Sequence, residues 1–188
     1  MRKFVMLLLA VAMALAVLPA AAQEPTIADI VVASAEGDPA EFTILLAAVQ
    51  AADPSILAAL SDPNASLTVF APTDEAFEVL FDELGMTADE VLADTALLND
   101  VLSYHVLPGE YDSAALFAAA NSDWPGTYIQ TLQGTYLEFT DDEGSLIVDD
   151  AWVSAADIQA SNGIVHVIHR VLLPSYNYGE EGLPAAAG

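Results

Sequence analysis

The chain has 188 residues, which suits one domain with a sizeable hydrophobic core. Its 28 Asp and Glu residues against 3 Lys and Arg give a formal charge of −25, which excludes nucleic acid and anionic lipid as favoured partners. There is no cysteine, so we expect neither a disulfide framework nor a lipoprotein anchor, and a packed core must hold the fold.

Residues 1–22 have the pattern of a secretory signal peptide. Arg2 and Lys3 precede an apolar run, and the small residues Ala20-Ala21-Ala22 that follow it form a cleavage site with the cut after Ala22. The run is too short for a stable membrane span. We therefore predict cleavage near Ala22 and a secreted chain, extracellular or periplasmic, without a transmembrane anchor. Its formal charge becomes about −27, and Arg170 is its one basic side chain.

The first half of the mature chain has the periodicity and caps of short helices. Ile27 and Val31 lie at helical spacing in the first of them. The segment Asp38–Glu41 predicts a second helix start, with Asp38 as the cap, proline at the first helical position and Glu41 completing a capping box. Asp53 repeats this device before a third helix.

The stretch 66–77 predicts a strand that turns abruptly into a helix. The apolar run that begins at Leu67 indicates a buried strand, and Pro72 cannot donate to a β-ladder, so we expect the strand to end there. Thr73 suits the helix N-cap, and Asp74 follows where the helix dipole favours negative charge. Gly85 is expected to end this helix.

Further helices and then strands follow. Thr87 and Glu90 form a capping box for residues 88–93, and residues 95–103 predict another helix. Residues 113–120 are a helical or coiled segment, and a loop at 121–126 carries Trp124. From residue 128 the period becomes two, which predicts strands at 128–131, 136–140, 145–148, 151–153 and 164–173, with an extended piece at Ile158. Helices followed by hairpins indicate an α+β fold.

Three stretches together resemble the fasciclin domain family. They are Thr68 to Phe77, the Tyr104-His105 pair with the Val-Leu-Pro-Gly that follows it, and Ser161 to Pro174. Their specific positions are Thr68, Phe70, Pro72, Thr73, Asp74, Phe77, Asn162, Gly163 and His166. The helix face that includes Phe42, Thr43, Leu45, Leu46 and Ala48 also resembles this family. The match makes residues 23–174 one domain and leaves 175–188 as a flexible tail.

The resemblance implies a fold, a role and four contact positions. The implied fold is a wedge of two β-sheets with an N-terminal group of helices packed on one side. The implied role is adhesion of cells, matrix or biofilm through protein or glycan contacts, without catalysis or a cofactor. In some members a Tyr-His pair and an Asp-Ile pair contact receptors; here these are Tyr104, His105, Asp157 and Ile158. His169 departs from the pattern, because many relatives have an acidic residue there, and the 121–126 loop is longer than is usual.

The residues themselves favour no catalytic or metal centre. His166 and His169 are three apart on a strand, so they point to opposite faces and cannot converge with His105 on a metal ion. We expect His105 and His166 to be buried and hydrogen-bonded, with one of them bonded to the Thr73-Asp74 turn. No serine stands on a strained elbow as a nucleophile.

Two alternatives stay open from the residues. The acidic turns at 141–143 and 149–150 could hold calcium weakly, although they lack the spacing of a calcium loop and a solvated surface is the default. The space between sheet and helices could hold a small apolar ligand, which would make the protein an extracellular carrier.

Overall fold

The computed structural model describes residues 24–122 and 127–174. The predicted signal peptide, the tail at 175–188 and Trp124 lie outside the described residues. In the described ranges the elements are α1 (Ile27–Ala35), α2 (Thr43–Ala51), α3 (Pro54–Ser61), β1 (Leu67–Pro72), α4 (Asp74–Leu84), α5 (Ala88–Ala93), α6 (Thr95–Tyr104), β2 (Val106–Pro108), α7 (Ser113–Ala120), β3 (Tyr128–Gln130), β4 (Tyr136–Asp142), β5 (Ser145–Val148), β6 (Ala151–Ala160) and β7 (Gly163–Ile168).

The strands form one mixed sheet in the order β2-β1-β7-β6-β5-β4-β3. β1 and β7 are parallel, from Leu67 opposite Gly163 to Pro72 opposite Ile168, and the other neighbours are antiparallel. The sheet curls until its ends nearly meet, because the amide of Leu132, just after β3, donates to the carbonyl of Val106 on β2 over 2.8 Å. The predicted wedge of two sheets is therefore replaced by a single, nearly closed sheet.

The sheet separates two hydrophobic cores, and β1 contributes to both because its side chains alternate. Val69 and Ala71 belong to a helix-side core to which α1 to α6 contribute. Phe70 points the other way into a barrel core inside the curled sheet, where its ring lies 5.9 Å from that of Phe139. Leu116 of α7 is fully buried in the barrel core. All six β1 residues are buried, which explains the unbroken apolar run.

The junction between β1 and α4 has the predicted form. The strand reaches Pro72, and the hydroxyl of Thr73 accepts a hydrogen bond from the amide of Ala76 over 3.2 Å. The helix ends at Gly85, whose φ of 62° is left-handed and suits glycine. The cap and the stop signal are therefore confirmed.

The predicted helix start at Asp38 is wrong. α2 begins at Thr43, and its cap comes from Asp74, a residue distant in sequence. One oxygen of the Asp74 carboxylate accepts from the amide and hydroxyl of Thr43 at 3.1 and 2.7 Å, and the other from the amide of Ile44 at 2.9 Å. Glu41 accepts from the amide of Asp74 instead of capping its own helix. This exchange joins the starts of α2 and α4.

Two strand boundaries also differ from the prediction. The last strand, β7, ends at Ile168 and not at residue 173. β6 is one strand of ten residues, whereas we predicted strands only at 151–153 and around Ile158. It contains two irregularities in register, between Val153 and Ala155 and between Ala155 and Ile158, which interrupt the period-two pattern that sequence reading depends on.

Among the described residues, no single helix is both long enough and apolar enough to cross a bilayer. α2 and α3 reach that length and composition only as a pair, and a bend of 120° separates them. Leu45 of α2 and Leu60 of α3 are buried in the helix-side core.

Candidate functional site

Tyr104, one of the four positions implied by the resemblance, is the last residue of α6 and is only 1% exposed. Its hydroxyl donates to a carboxylate oxygen of Asp149 over 2.6 Å and lies 3.1 Å from the carbonyl of Tyr136. Burial raises the pKa of Asp149, and the hydrogen bonds from Tyr104 and from the amide of Glu138 oppose that rise. Tyr104 thus ties α6 to the strands from the inside.

His105 is 3% exposed and uses both ring nitrogens. Nδ1 donates to the carbonyl of Val101 over 2.7 Å, and Nε2 accepts from the amide of Leu172 over 2.9 Å. Burial lowers its pKa to about 4, against which the Val101 hydrogen bond acts. The ring is therefore a neutral internal crosslink between α6 and the segment after β7.

His166 has the same character on β7. It is fully buried, its Nδ1 accepts from the amide of Asp157 over 3.3 Å, and its Nε2 donates to the carbonyl of Tyr111 over 2.8 Å. Burial lowers its pKa, although the Tyr111 hydrogen bond and nearby carboxylates oppose the change. Its ring stacks on Phe70 at 5.6 Å. Buried histidines are confirmed, but neither bonds the Thr73-Asp74 turn, since all four nitrogens have other partners.

Asp157 and Ile158 are the two implied positions that reach solvent. Asp157 is exposed and Ile158 is half-buried on the irregular part of β6. The Asp157 backbone is left-handed, with φ 62°, and its carboxylate accepts from the amide and hydroxyl of Ser113 at 2.7 and 2.5 Å. These hydrogen bonds lower its pKa. The site residues predicted from the resemblance are therefore divided between the interior and the surface.

Asn162 and Gly163 make the turn before β7 a structural joint. Asn162 is fully buried; its side-chain oxygen accepts from the amide of Ile27 over 2.9 Å, and its amide donates to the carbonyls of Leu60 and Asp62 at 2.9 and 3.0 Å. Gly163 has φ 152°, and a Cβ there would lie 2.0 Å from the carbonyl oxygen of Leu67. Packing therefore requires asparagine's hydrogen-bonding side chain at position 162 and the absence of a side chain at position 163.

No group of three or more His, Asp and Glu side chains within the described ranges has the geometry to hold a metal ion. Protein donors also occupy one carboxylate in each of the two acidic turns. Asp141 accepts from the amide of Gly144 and from Asn121, and Asp149 accepts from Tyr104 and the amide of Glu138.

A surface cleft of about 330 Å³ lies beside the β5–β6 turn and was not foreseen from the sequence. Arg170 projects there and forms ion pairs with Glu83 of α4 and, over 3.2 Å, with Asp150. The cleft is lined by Glu83, Glu138, Asp149, Asp150, Arg170, Val171 and Leu173. Two residues after Asp150, the exposed Trp152 of β6 stacks on His169, with the ring centroids 3.4 Å apart. An aromatic at an outward position of an alternating strand was the signal available in the sequence.

The comparisons with known proteins agree with this architecture. The model of the fasciclin domain matches residues 40–174, which is most of the chain. The chain belongs to the fasciclin domain family. It is 37% identical over 134 residues to Protein sll1483 of Synechocystis sp., covering 71% of this chain and 67% of that protein.

Two further relatives of this fasciclin chain are, by name, a growth-factor-induced protein and a cell surface glycolipoprotein. The chain is 34% identical to the transforming growth factor-beta-induced protein ig-h3 of Sus scrofa over 74% of its length, but it spans only 19% of that protein. It is 36% identical over 57% of its length to the cell surface glycolipoprotein MPB83 of Mycobacterium bovis, and spans 43% of it.

A solved structure supports the fold. The chain superposes on a FAS1 domain pair from the insect cell adhesion molecule fasciclin I with a TM-score of 0.62. The match covers 80% of this chain and 51% of the other, at 17% identity, so it is an argument about fold alone.

Proposed function

We propose that this fasciclin domain is a secreted or cell-surface interaction domain that supports adhesion through non-covalent protein or glycan contacts. The observation that carries the proposal is the family match over residues 40–174, together with relatives whose names place them at cell surfaces. The structure of the adhesion molecule fasciclin I adds the same fold. The proposal is a binding role without turnover.

The state of the two buried histidines supports a binding role over a catalytic one. A general base needs a ring nitrogen directed at a substrate. In His105 and His166 every ring nitrogen is held by a backbone group of this chain. Both residues therefore stabilise the scaffold that presents the surface.

The surface we propose for contact includes Asp157 and Ile158. Burial of Tyr104 and His105 leaves almost no area for a partner to touch on these two residues, so their contribution is to hold the fold. Asp157 is exposed, fixed by Ser113, and pre-organised by the left-handed turn of its backbone. A rigid, exposed group loses little entropy on binding, which favours affinity.

The carrier alternative has less support. An apolar cavity between the helices and the sheet, lined by Val31, Leu45 and Phe70 among others, has a volume of about 20 Å³. Small-molecule sites usually measure roughly 300–1,000 Å³. An apolar ligand would have to separate the helices from the sheet, so the surface role remains our proposal.

The experiment is an attachment assay with beads coated with the folded chain, applied to cells and extracellular matrix of the source organism. The chain is strongly acidic, so attachment is measured at raised salt, where charge effects between exposed groups are screened. Retention above that of beads coated with an equally acidic, unrelated protein supports the proposal. Equal retention would reject it.

A matched pair of variants tests the contact surface. Asp157→Asn and Asp89→Asn remove the same charge from two exposed positions, one in the proposed surface and one on α5. We expect weaker attachment only for Asp157→Asn. If both variants attach like the wild type, the surface assignment fails while the adhesion role stands.

A further inference from the structure

The outer face of β4 to β7 carries a row of side chains centred on Trp152. Thr140 is opposite Ile147, and Ile147 is opposite Trp152, in consecutive antiparallel pairs. Trp152 then stacks on His169, with the ring planes 5° apart. The neighbours of these residues along the strands, such as Phe139, Val148 and Ala151, are fully buried, so the row lies on the outward side of the sheet.

Trp152 is an exposed but fixed platform. Trp152 is 53% exposed, which is unusual for a tryptophan in a folded domain. His169 covers one ring face, and the Trp152 amide donates to His169 Nδ1 over 3.0 Å. The indole is thus held in one orientation before any ligand arrives, which reduces the entropy lost on binding.

A second row, polar and charged, runs beside the first. Asp149 and Glu138 are joined by two hydrogen bonds, from the Asp149 amide at 2.9 Å and from the Glu138 amide at 2.8 Å. Asp150 continues the row to Arg170 through their 3.2 Å ion pair. The two rows are two residues apart along the strands, which corresponds to a distance of about 7 Å. The aromatic platform therefore lies next to the cleft of about 330 Å³.

We infer that these two rows form a binding site for a neutral pyranose oligosaccharide. A pyranose ring has an apolar C–H face, which suits the indole, and hydroxyl groups at its edge, which suit carboxylate acceptors and guanidinium donors. The cleft volume lies within the range of small-molecule sites. The inference rests on the proposed adhesion role and adds to it a ligand class and a second contact site, besides the surface at Asp157 and Ile158.

The charge of the cleft selects among sugars. Four carboxylates, of Glu83, Glu138, Asp149 and Asp150, stand against the single guanidinium of Arg170. Like charges across an interface are unfavourable, so uronic-acid and sulfated oligosaccharides are rejected. The ligand class is therefore hexose or N-acetylhexosamine oligomers.

The test is calorimetric titration of the full chain with four tetrasaccharides. Three are neutral oligomers, of β-1,4-glucose, α-1,4-glucose and N-acetylglucosamine, and the fourth is an acidic oligoguluronate. We expect saturable binding of at least one neutral oligomer and none of the acidic one. Trp152→Ala should weaken that binding about tenfold or more. The matched control is Leu132→Ala, which removes another exposed apolar side chain, 48% exposed, after β3.

Absence of binding to all neutral oligomers, equal binding by Trp152→Ala, or tighter binding of oligoguluronate would overturn the inference. Nuclear magnetic resonance of the wild type avoids any folding defect of a variant. The indole N–H signal of Trp152 must shift during titration, and an unmoved signal would also overturn it. If bead attachment persists while no oligosaccharide binds, this site is wrong and the proposed adhesion role stands.

Discussion

Replacing His105 should remove much of the acid sensitivity of the fold. The ring is buried in its neutral form, with Nδ1 donating to Val101 and Nε2 accepting from the amide of Leu172. A second proton on the ring would put an N–H against the Leu172 N–H. Burial is the main reason that the pKa of His105 falls from 6.5 to about 4.

The sign and size of the effect follow from these two values. The unfolded chain takes up the proton near pH 6.5, whereas the folded chain resists it until about pH 4. The stabilisation from neutral His105 is therefore complete above pH 6.5 and is lost as the pH falls toward 4. The loss amounts to about 3 kcal/mol over the whole window and about 2 kcal/mol by about pH 5.

Other groups contribute to the total pH dependence. His166 has a lowered pKa and acts in the same direction as His105. Asp157, with its lowered pKa, adds a loss below the usual range of a carboxyl group. Asp149 has a raised pKa and acts in the opposite direction, because its contribution falls as the pH rises. Only a comparison between the wild type and a His105 variant isolates the one residue.

The assay is urea unfolding at about pH 7.5 and about pH 5. His105→Gln should cost about 1–3 kcal/mol at the higher pH, because buried partners lose hydrogen bonds. Between the two pH values it should lose about 2 kcal/mol less than the wild type. His169→Gln is the matched control, since His169 is only partly buried. Equal pH slopes for wild type and His105→Gln would refute the reasoning.

Three other substitutions test the joints of the scaffold. Asn162→Ala leaves one amide of α1 and two carbonyls at the end of α3 without their partner, so urea unfolding should show a loss of about 2–4 kcal/mol, and a loss below about 1 would contradict this account. Gly163→Ala brings a Cβ against the Leu67 carbonyl, and circular dichroism should find no cooperative unfolding; a native-like transition would mean that β1 and β7 can separate. Tyr104→Phe deprives the Asp149 carboxylate of a hydroxyl donor, which should lower the free energy of unfolding by about 1–2 kcal/mol in thermal unfolding. An unchanged free energy of unfolding would contradict the importance of this hydrogen bond.

Local signals were sufficient to predict most elements from the sequence. Thr73 and Gly85 bound α4 as expected, because a cap and a stop depend on residues within one turn. The capping box of Thr87 and Glu90 is present for the same reason. The Ser145–Val148 strand has the predicted bounds, since a hairpin also depends on close neighbours.

Long-range partners could not be predicted. Asp74 caps α2 from across 31 residues, so the nearby Asp38 was the better local candidate and was wrong. The long-range partners of the buried histidines could not be predicted either, because they are also distant in sequence. The closure of the curled sheet involves another distant pair, the hydrogen bond between Leu132 and Val106. For the site, the resemblance supplied four positions but could not tell that Tyr104 faces inward, whereas the burial of His105 was expected from the residues themselves.

The most direct test of the central claim is attachment of the source cells after deletion of the gene for this chain. The protein is proposed to act outside the cell by surface contact, so the deletion strain should attach to its matrix less firmly under flow. Adding the purified, folded chain should restore attachment, and adding chain carrying Gly163→Ala, which has no room for a side chain beside β1, should not. Unchanged attachment of the deletion strain would contradict the account.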